Sequence, residues 1–232
     1  MQVHWHRRNL RASPNPALSS ALTAAQGNNS RVVSLFVLDD AILSRADALG
    51  VAFMLGSLHT LRDWYRAHGS DLVIQHGDPT DVIGQIAETA GAKQVVWNRD
   101  HSRLARGRDR AVQRALARAG VDHTAVPNQS TATNLSAVPV SEPETYLADP
   151  GALGIETKPV PRLSELGDAT YDSTPLTAGT ESARKQLEAL VDGRTYRRCD
   201  DEKYADLPPA LYTKFLLHPL ESPLVSTGSR NC

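Results

Sequence analysis

Several features that mark large classes of protein are scarce or missing in this sequence. The two cysteines, Cys199 and Cys232, form no CxxC pair, which argues against a disulfide scaffold or a zinc site and is typical of a reducing compartment. No apolar run approaches the ~20 residues that a membrane-spanning helix needs. The first predicted strand begins at residue 2, which leaves no signal peptide ahead of it. We therefore expect a soluble, cytoplasmic protein without a membrane partner.

Charge, aromatic content and motifs exclude further classes. The formal net charge is −1 and aromatic residues make up 5% of the chain, so neither a strongly basic nucleic-acid binder nor a large base-stacking surface is predicted. The sequence contains no GxGxxG, Walker-type glycine loop, GxSxG or HExxH motif. His4 and His6 share one face of a predicted strand, but no third ligand accompanies them. We predict no metal site and assign no catalytic residue.

What the sequence does contain is a regular alternation of strands and helices. The predicted strands cover residues 2–6, 31–39, 71–76, 93–98 and 121–126, and helices are predicted over residues 16–26, 51–65, 79–90 and 103–120. Pro16 and Pro79 suit a first helical turn, and Asp78 can cap the helix that follows it. This alternation predicts an α/β fold with a five-stranded, doubly wound parallel sheet in residues 1–126.

The pattern ends after residue 126. Residues 127–179 are rich in proline and small polar residues and have no period, so they are predicted to be an irregular linker. Residues 180–193 are predicted to form one helix, capped by Thr180 and ended by Gly193. We expect residues 180–232 to be partly disordered and the whole C-terminal extension to build no second core.

Candidate site residues follow the predicted strands, because ligands of open parallel sheets bind beyond the carboxyl ends of the strands. The side chains there are Arg7, Arg8 and Arg11 after the first strand, Asp39 at the end of the second, and Asn98 and Asp100 at the end of the fourth. Each has an alternative structural role. The arginines can form interface salt bridges, Asp39 can cap a helix, and Asn98 and Asp100 can shape a turn.

The predicted helix over residues 103–120 carries many arginines. Its apolar residues Leu104, Ala111, Val112, Ala115 and Leu116 are predicted to face inward. The arginines are then left on the outside, where they can touch nucleic acid. Because such a face is more often simply solvated, we expect contact with DNA to be weak or absent.

Four stretches carry a family resemblance over residues 2–126. They are "HWHRRNLRASPNPAL", "LFVLDDAIL", "FMLGSLHTLRDWYRAHGSDLVIQHGDP" and "VVWNRDHSRLARGRDRAVQRAL". In order and spacing they resemble the Rossmann-like N-terminal α/β domain of DNA photolyases and cryptochromes. The resemblance implies that an antenna chromophore docks at the carboxyl edge of the sheet. The implied contacts are Arg7, Arg8, Arg11, Phe36, Asp39, Asn98 and Asp100.

Some positions depart from the family pattern. Asn9 stands where the family has aspartate in RRDLR, and His6 stands where it has phenylalanine. Leu104 and Ala105 replace the Asn-Glu pair of folate-using relatives. The departure favours a deazaflavin or a flavin over a folate as the antenna chromophore.

The resemblance also implies an activity, the light-driven repair of cyclobutane pyrimidine dimers in DNA by a carbon–carbon lyase that uses FAD. The "TSRLSPHL"-type segment that contacts this flavin in the family is not found here. We therefore expect the FAD domain to be absent, FAD not to be bound, and the chain to be inactive alone unless a partner chain supplies that domain. Alternatives are a nucleotide-binding or electron-transfer α/β domain, or a degenerate fragment.

Overall fold

A five-stranded parallel sheet forms the centre of the molecule. The computed structural model describes residues 1–100, 102–127, 142–166, 177–183 and 185. The strands are β1 (Gln2–His6), β2 (Val32–Leu38), β3 (Leu72–His76), β4 (Gln94–Asn98) and β5 (Asp122–Val126). Their order across the sheet is β3-β2-β1-β4-β5, and all neighbours are parallel. The predicted fold class is confirmed.

The strands are connected by helices that begin at recognisable caps. The helices are α1 (Pro16–Gly27), α2 (Asp40–Leu43), α3 (Ala48–Ala67), α4 (Pro79–Thr89) and α5 (Arg103–Arg118). The N-cap side chains of α1 and α4 are Asn15 and Asp78, each followed by a proline in the first turn. The short helix α2 is not predicted by the sequence. None of the helices in the described parts of the chain combines the length and apolarity needed to cross a membrane.

Each face of the sheet is covered by two helices. Leu18 of α1 and Leu58 of α3 pack with Val32 and Phe36 on one face. On the opposite face, α4 and α5 pack against Trp5 and other strand residues. These residues alternate along each strand with those of the first face, because successive side chains point to opposite sides of the sheet. Because the strand order reverses between β1 and β4, a cleft is expected beyond the carboxyl ends of the central strands.

Helix α5 buries a different set of residues from the one predicted. Its buried residues are Ala105, Asp109, Val112 and Leu116. Leu104, which was predicted to face inward, is 36% exposed. Val112 and Leu116 are buried as predicted. At the start of the helix the buried stripe runs through Ala105 and Asp109 instead of Leu104, because a prediction based on apolar residues alone does not count a carboxylate as buried.

The side chain of His6, at the end of β1, is buried on the face of the sheet that α1 and α3 cover. His6 Nδ1 is 3.2 Å from the carbonyl oxygen of Asn9, and its Nε2 is 2.7 Å from Tyr65 Oη. Burial lowers the pKa of His6 to about 4 and raises the pKa of Tyr65. At neutral pH the imidazole is therefore neutral, with Nδ1–H donating to Asn9 and Nε2 accepting from the phenol.

Residues 142–166 pack along the β2–β3 side of the sheet. They contain three short 3-10 helices, Pro143–Thr145, Gly151–Leu153 and Leu163–Glu165. Leu147 makes a parallel bridge with Val32 and is buried. Both the predicted linker over residues 127–179 and the domain boundary at residue 126 stay predictions. Most of the helix predicted over residues 180–193 lies outside the described residues.

Hydrogen bonds tie this segment to β3. Thr157 Oγ1 accepts from Ile74 N–H at 2.9 Å and donates to the carbonyl of Leu72 at 3.0 Å. Lys158 N–H donates to the carbonyl of Ile74 at 3.0 Å. The edge of β3 is thereby paired by the chain itself.

An arginine supports the same attachment from helix α3. Arg62 donates to both carboxylate oxygens of Asp71, at 2.8 and 3.0 Å, and to the carbonyl of Lys158 at 3.0 Å. Burial opposes ionisation of Asp71, but Arg62 and Arg66 outweigh it and hold the pKa of this carboxyl below its usual value.

We predict that Thr157→Val destabilises the protein, because it removes the hydroxyl that serves both Ile74 N–H and the carbonyl of Leu72. The free energy of unfolding in urea should fall by about 1–3 kcal/mol. Thr80→Val is the matched control, since Thr80 is half-buried in the first turn of α4 and contributes only its backbone N–H. Equal stability of the two variants would show that the hydroxyl of Thr157 does not hold the segment.

Candidate ligand site

A cavity of about 310 Å³ opens beyond the carboxyl ends of β1 and β2. The first turns of α3 and α5 and the short helix α2 form its sides. One wall is apolar, and its residues are Leu10, Phe36, Leu38, Leu43, Val51 and Met54. Such a mostly apolar slot with a few polar groups is typical of sites that bind planar small molecules.

The opposite wall is organised by an ion pair between β1 and α5. Arg7 Nη1 donates to Asp109 Oδ1 at 2.6 Å, and Trp97 Nε1 donates to the second carboxylate oxygen at 3.3 Å. The side chains of Arg7 and Asp109 are 4% and 10% exposed. The carboxylate thus fixes the first turns of α5 against the ends of β1 and β4.

A second ion pair crosses from α5 to the end of β2. Arg108 Nη1 donates to Asp39 Oδ2 at 3.3 Å, while Asp39 Oδ1 accepts from Ala41 N–H and caps α2. The guanidinium carbons of Arg7 and Arg108 lie 4.9 and 5.1 Å from the ring centroid of Trp5. Two cationic groups and one indole therefore share this wall.

These two arginines keep unused donors. Arg7 Nε and Nη2 and Arg108 Nε are buried and have no hydrogen-bond partner among the described residues. Burial, together with the nearby charge of Arg108, lowers the pKa of Arg7, although Asp109 opposes that shift. Because unpaired buried donors are costly, this wall suits a ligand that brings an acceptor oxygen.

Asp100 completes the charged rim. It accepts from Arg8 Nη1 at 3.3 Å and from Ser102 N–H at 2.9 Å, and Arg7 Nη2 is 3.9 Å away. Burial opposes ionisation of Asp100, but the Ser102 hydrogen bond and the two guanidiniums hold its pKa below the usual value. This carboxylate is therefore ionised at neutral pH.

Five of the seven site residues predicted from the sequence line this cavity: Arg7, Arg8, Phe36, Asp39 and Asp100. Contact of any of them with a ligand stays a prediction. Arg11 does not line the cavity, and its Nε donates to the carbonyl of Pro14.

Asn98 also lies away from the cavity, in a buried amide network. Its Nδ2 donates to Asn15 Oδ1 at 2.7 Å, and its Oδ1 accepts from Ala17 N–H at 3.2 Å. The two bonds tie the end of β4 to the first turn of α1. This is a structural role for Asn98.

Three groups of lining residues were missed by the sequence analysis. The sequence assigns no role to Trp5 or to the apolar residues of α2 and α3, and it places Arg108 with the outward arginines of its helix. Asp109 was the available signal, because a carboxylate inside a buried helical stripe needs a cation opposite it. That stripe fixes the rotation of α5 and therefore turns Arg108 toward the cavity.

We predict that Asp109→Asn costs up to about 3–5 kcal/mol of unfolding free energy, because it removes the carboxylate that is hydrogen-bonded to the buried Arg7 guanidinium and leaves only Asp100, 3.9 Å away. Asp122→Asn, at an exposed carboxylate of β5, should change stability by no more than about 0.5 kcal/mol. Denaturant titration measures both.

The double variant Arg7→Met/Asp109→Leu tests whether the loss of stability comes from the unpaired charge or from altered packing. It removes both ions and should recover most of the lost stability. A double variant as unstable as Asp109→Asn would contradict the view that an uncompensated charge causes the loss.

Comparison with known proteins agrees with this architecture. A protein-family model described as DNA photolyase matches residues 2–146. The deoxyribodipyrimidine photo-lyase of Halobacterium salinarum is 37% identical over 240 residues, covering 90% of this chain and 50% of the relative. The uncharacterized 31.6 kDa protein in the atpI 5′ region of Synechococcus sp. strain PCC 6716 is 30% identical and is covered to 81% of its length.

Solved structures show the same fold. The archaeal photolyase from Sulfolobus tokodaii matches 93% of this chain with a TM-score of 0.62 at 23% identity, and 52% of its own chain is covered. The class III photolyase from Agrobacterium tumefaciens matches 82% of this chain with a TM-score of 0.60 at 21% identity. The chain spans about half the length of the Halobacterium relative. It belongs to the DNA photolyase family.

Proposed function

We propose that this chain is an antenna-type domain that binds a planar aromatic chromophore in the cavity beyond β1 and β2. The observation that carries the proposal is the pairing of an apolar wall with buried, unpartnered guanidinium donors on Arg7 and Arg108. An aromatic ring system with peripheral carbonyl or phosphate oxygens fits both walls. When bound, such a group supplies the absorption of light.

The chain's own residues would hold this group in complementary ways. Phe36, Val51 and Met54 would pack against the ring faces, and Arg7 and Arg108 would donate to acceptor oxygens at the ring edge. Trp5, whose ring centroid lies 4.9 and 5.1 Å from the two guanidinium carbons, would exclude water from that edge. Asp39 and Asp109 would keep both arginines in position.

A flavin or a deazaflavin is the proposed class of ligand. Leu104 and Ala105 line the cavity and offer no polar side chain to a pterin, which weighs against a folate. The Sulfolobus tokodaii photolyase was described with two FAD molecules, which were taken to imply a novel light-harvesting cofactor. That description supports a flavin-type ligand in a chain of this family.

We predict that the purified 232-residue chain binds FMN, FAD or an 8-hydroxy-5-deazaflavin in a 1:1 complex, measured by ligand fluorescence and absorbance. Ala46 lines the cavity, so Ala46→Trp should weaken binding about 10-fold or more by overfilling it. Ala67→Trp, at an exposed position near the end of α3, is the matched control and should bind like the unmodified chain.

Three outcomes would overturn this assignment. They are no binding of any flavin or deazaflavin, equal loss in both tryptophan variants, and 1:1 binding of AMP with no flavin binding. The last would favour a nucleotide-binding domain. Tight binding of methenyltetrahydrofolate alone would keep the antenna role but refute the ligand class.

We also propose that this chain alone does not repair DNA. Light-driven repair in this family requires FAD, and the chain spans about half the length of the Halobacterium photo-lyase. We predict that illuminated mixtures of the chain, added FAD and dimer-containing DNA retain their cyclobutane dimers, as counted by a dimer-specific endonuclease. A full-length photolyase is the positive control, and light-dependent loss of dimers with this chain would refute the proposal.

A further inference from the structure

The outer face of α5 carries an uninterrupted row of guanidiniums. The α5 arginine stripe consists of Arg103, Arg106, Arg110, Arg114 and Arg118, all exposed. They recur every three or four residues, so they lie on one side of the helix. At 1.5 Å per residue the row is about 22 Å long.

Among the described residues, no carboxylate is paired with the stripe. The single carboxylate of α5 is Asp109, which is buried and bound to Arg7 on the opposite side of the helix. In the described parts of the chain, none of the five arginines forms an ion pair within 4.0 Å; the neighbouring elements α4 and β5 carry the exposed carboxylates Asp81, Glu88 and Asp122. Like charges at i, i+4 destabilise a helix. A polyanion laid along the stripe would remove that repulsion.

The stripe is a local feature rather than a reflection of overall charge. The formal net charge of the chain is −1, so the five positive charges of the stripe are a local concentration on this face. The one exposed large hydrophobic residue recorded for the described residues is Leu104, which lines the cavity. A protein interface needs an apolar or aromatic core, and the stripe offers none.

We propose that the α5 arginine stripe binds the phosphate backbone of duplex DNA without sequence preference. Guanidiniums bind phosphate oxygens in bidentate geometry, and a duplex presents about one negative charge per 1.7 Å of its axis. A straight row of five cations therefore meets several phosphates at once. The surface lies outside the cavity, so it operates whether or not a chromophore is bound.

The test is equilibrium binding of the full chain to a fluorescently labelled 20-base-pair duplex of arbitrary sequence, followed by anisotropy from about 50 to 200 mM salt. The variant Arg106→Gln/Arg110→Gln/Arg114→Gln keeps good helix formers and removes three charges from the stripe. We expect at least about 10-fold weaker binding at the lowest salt and a salt slope shallower by about 0.9 per arginine removed.

The control variant Arg31→Gln/Lys93→Gln/Lys158→Gln removes the same charge from exposed positions elsewhere. It should keep the slope and nearly all the affinity. If both triple variants lost the same affinity for the duplex, net charge alone would explain the effect and the proposal would be overturned. A stripe variant that binds the duplex like the unmodified chain would also overturn it. Circular dichroism confirms that each variant is folded. Tighter binding of poly-glutamate than of the duplex would overturn the proposal and assign the stripe to an acidic protein partner instead.

Discussion

The buried ion pair between Arg7 and Asp109 fixes the geometry on which the candidate site depends. Its two atoms lie 2.6 Å apart with both side chains nearly inaccessible, and the indole N–H of Trp97 supplies a further bond to the carboxylate. Removing either ion alone would leave an uncompensated charge, so the pair forces α5 to meet β1 in one rotation. That rotation turns Arg108 toward Asp39 and closes one wall of the cavity.

The topology explains why polar residues collect at the carboxyl ends of the strands and why few of them remain available to bind a ligand. Reversal of the strand order between β1 and β4 opens a cleft there, but helix starts in the same place need caps. Asn15, Asn98 and Asp39 satisfy backbone N–H groups of α1 and α2. Among the described residues that line the cavity, Arg7 and Arg108 keep buried donors without a partner, and the proposed chemistry of a ligand follows from them.

The sequence predicted the regular elements well because strand burial and helix caps act locally. Every predicted strand was confirmed with ends within one residue, because a continuous apolar run marks a strand from its own residues. The helix starts at Asn15-Pro16 and Asp78-Pro79 are likewise set by neighbouring residues. The site was harder to predict. Arg11 and Asn98 lie at strand ends as Arg7 and Asp39 do. Their partners, the Pro14 carbonyl and Asn15, nevertheless depend on how the loop after β1 folds back. Helix α2 was missed because four residues carry no periodicity.

One residue type has two roles on α5, and the helix period separates them. Arg108 lies two positions from both Arg106 and Arg110, which is about 200° around the helix axis. It therefore points to the opposite side, where Asp39 and Trp5 neutralise and cover it. The arginines of the stripe face outward and form no ion pair with a carboxylate in the part of the chain that the structure describes. Because composition alone counts all of these charges equally, only the buried stripe of Ala105, Asp109, Val112 and Leu116 distinguishes the cation that shapes a cavity from those that form a surface.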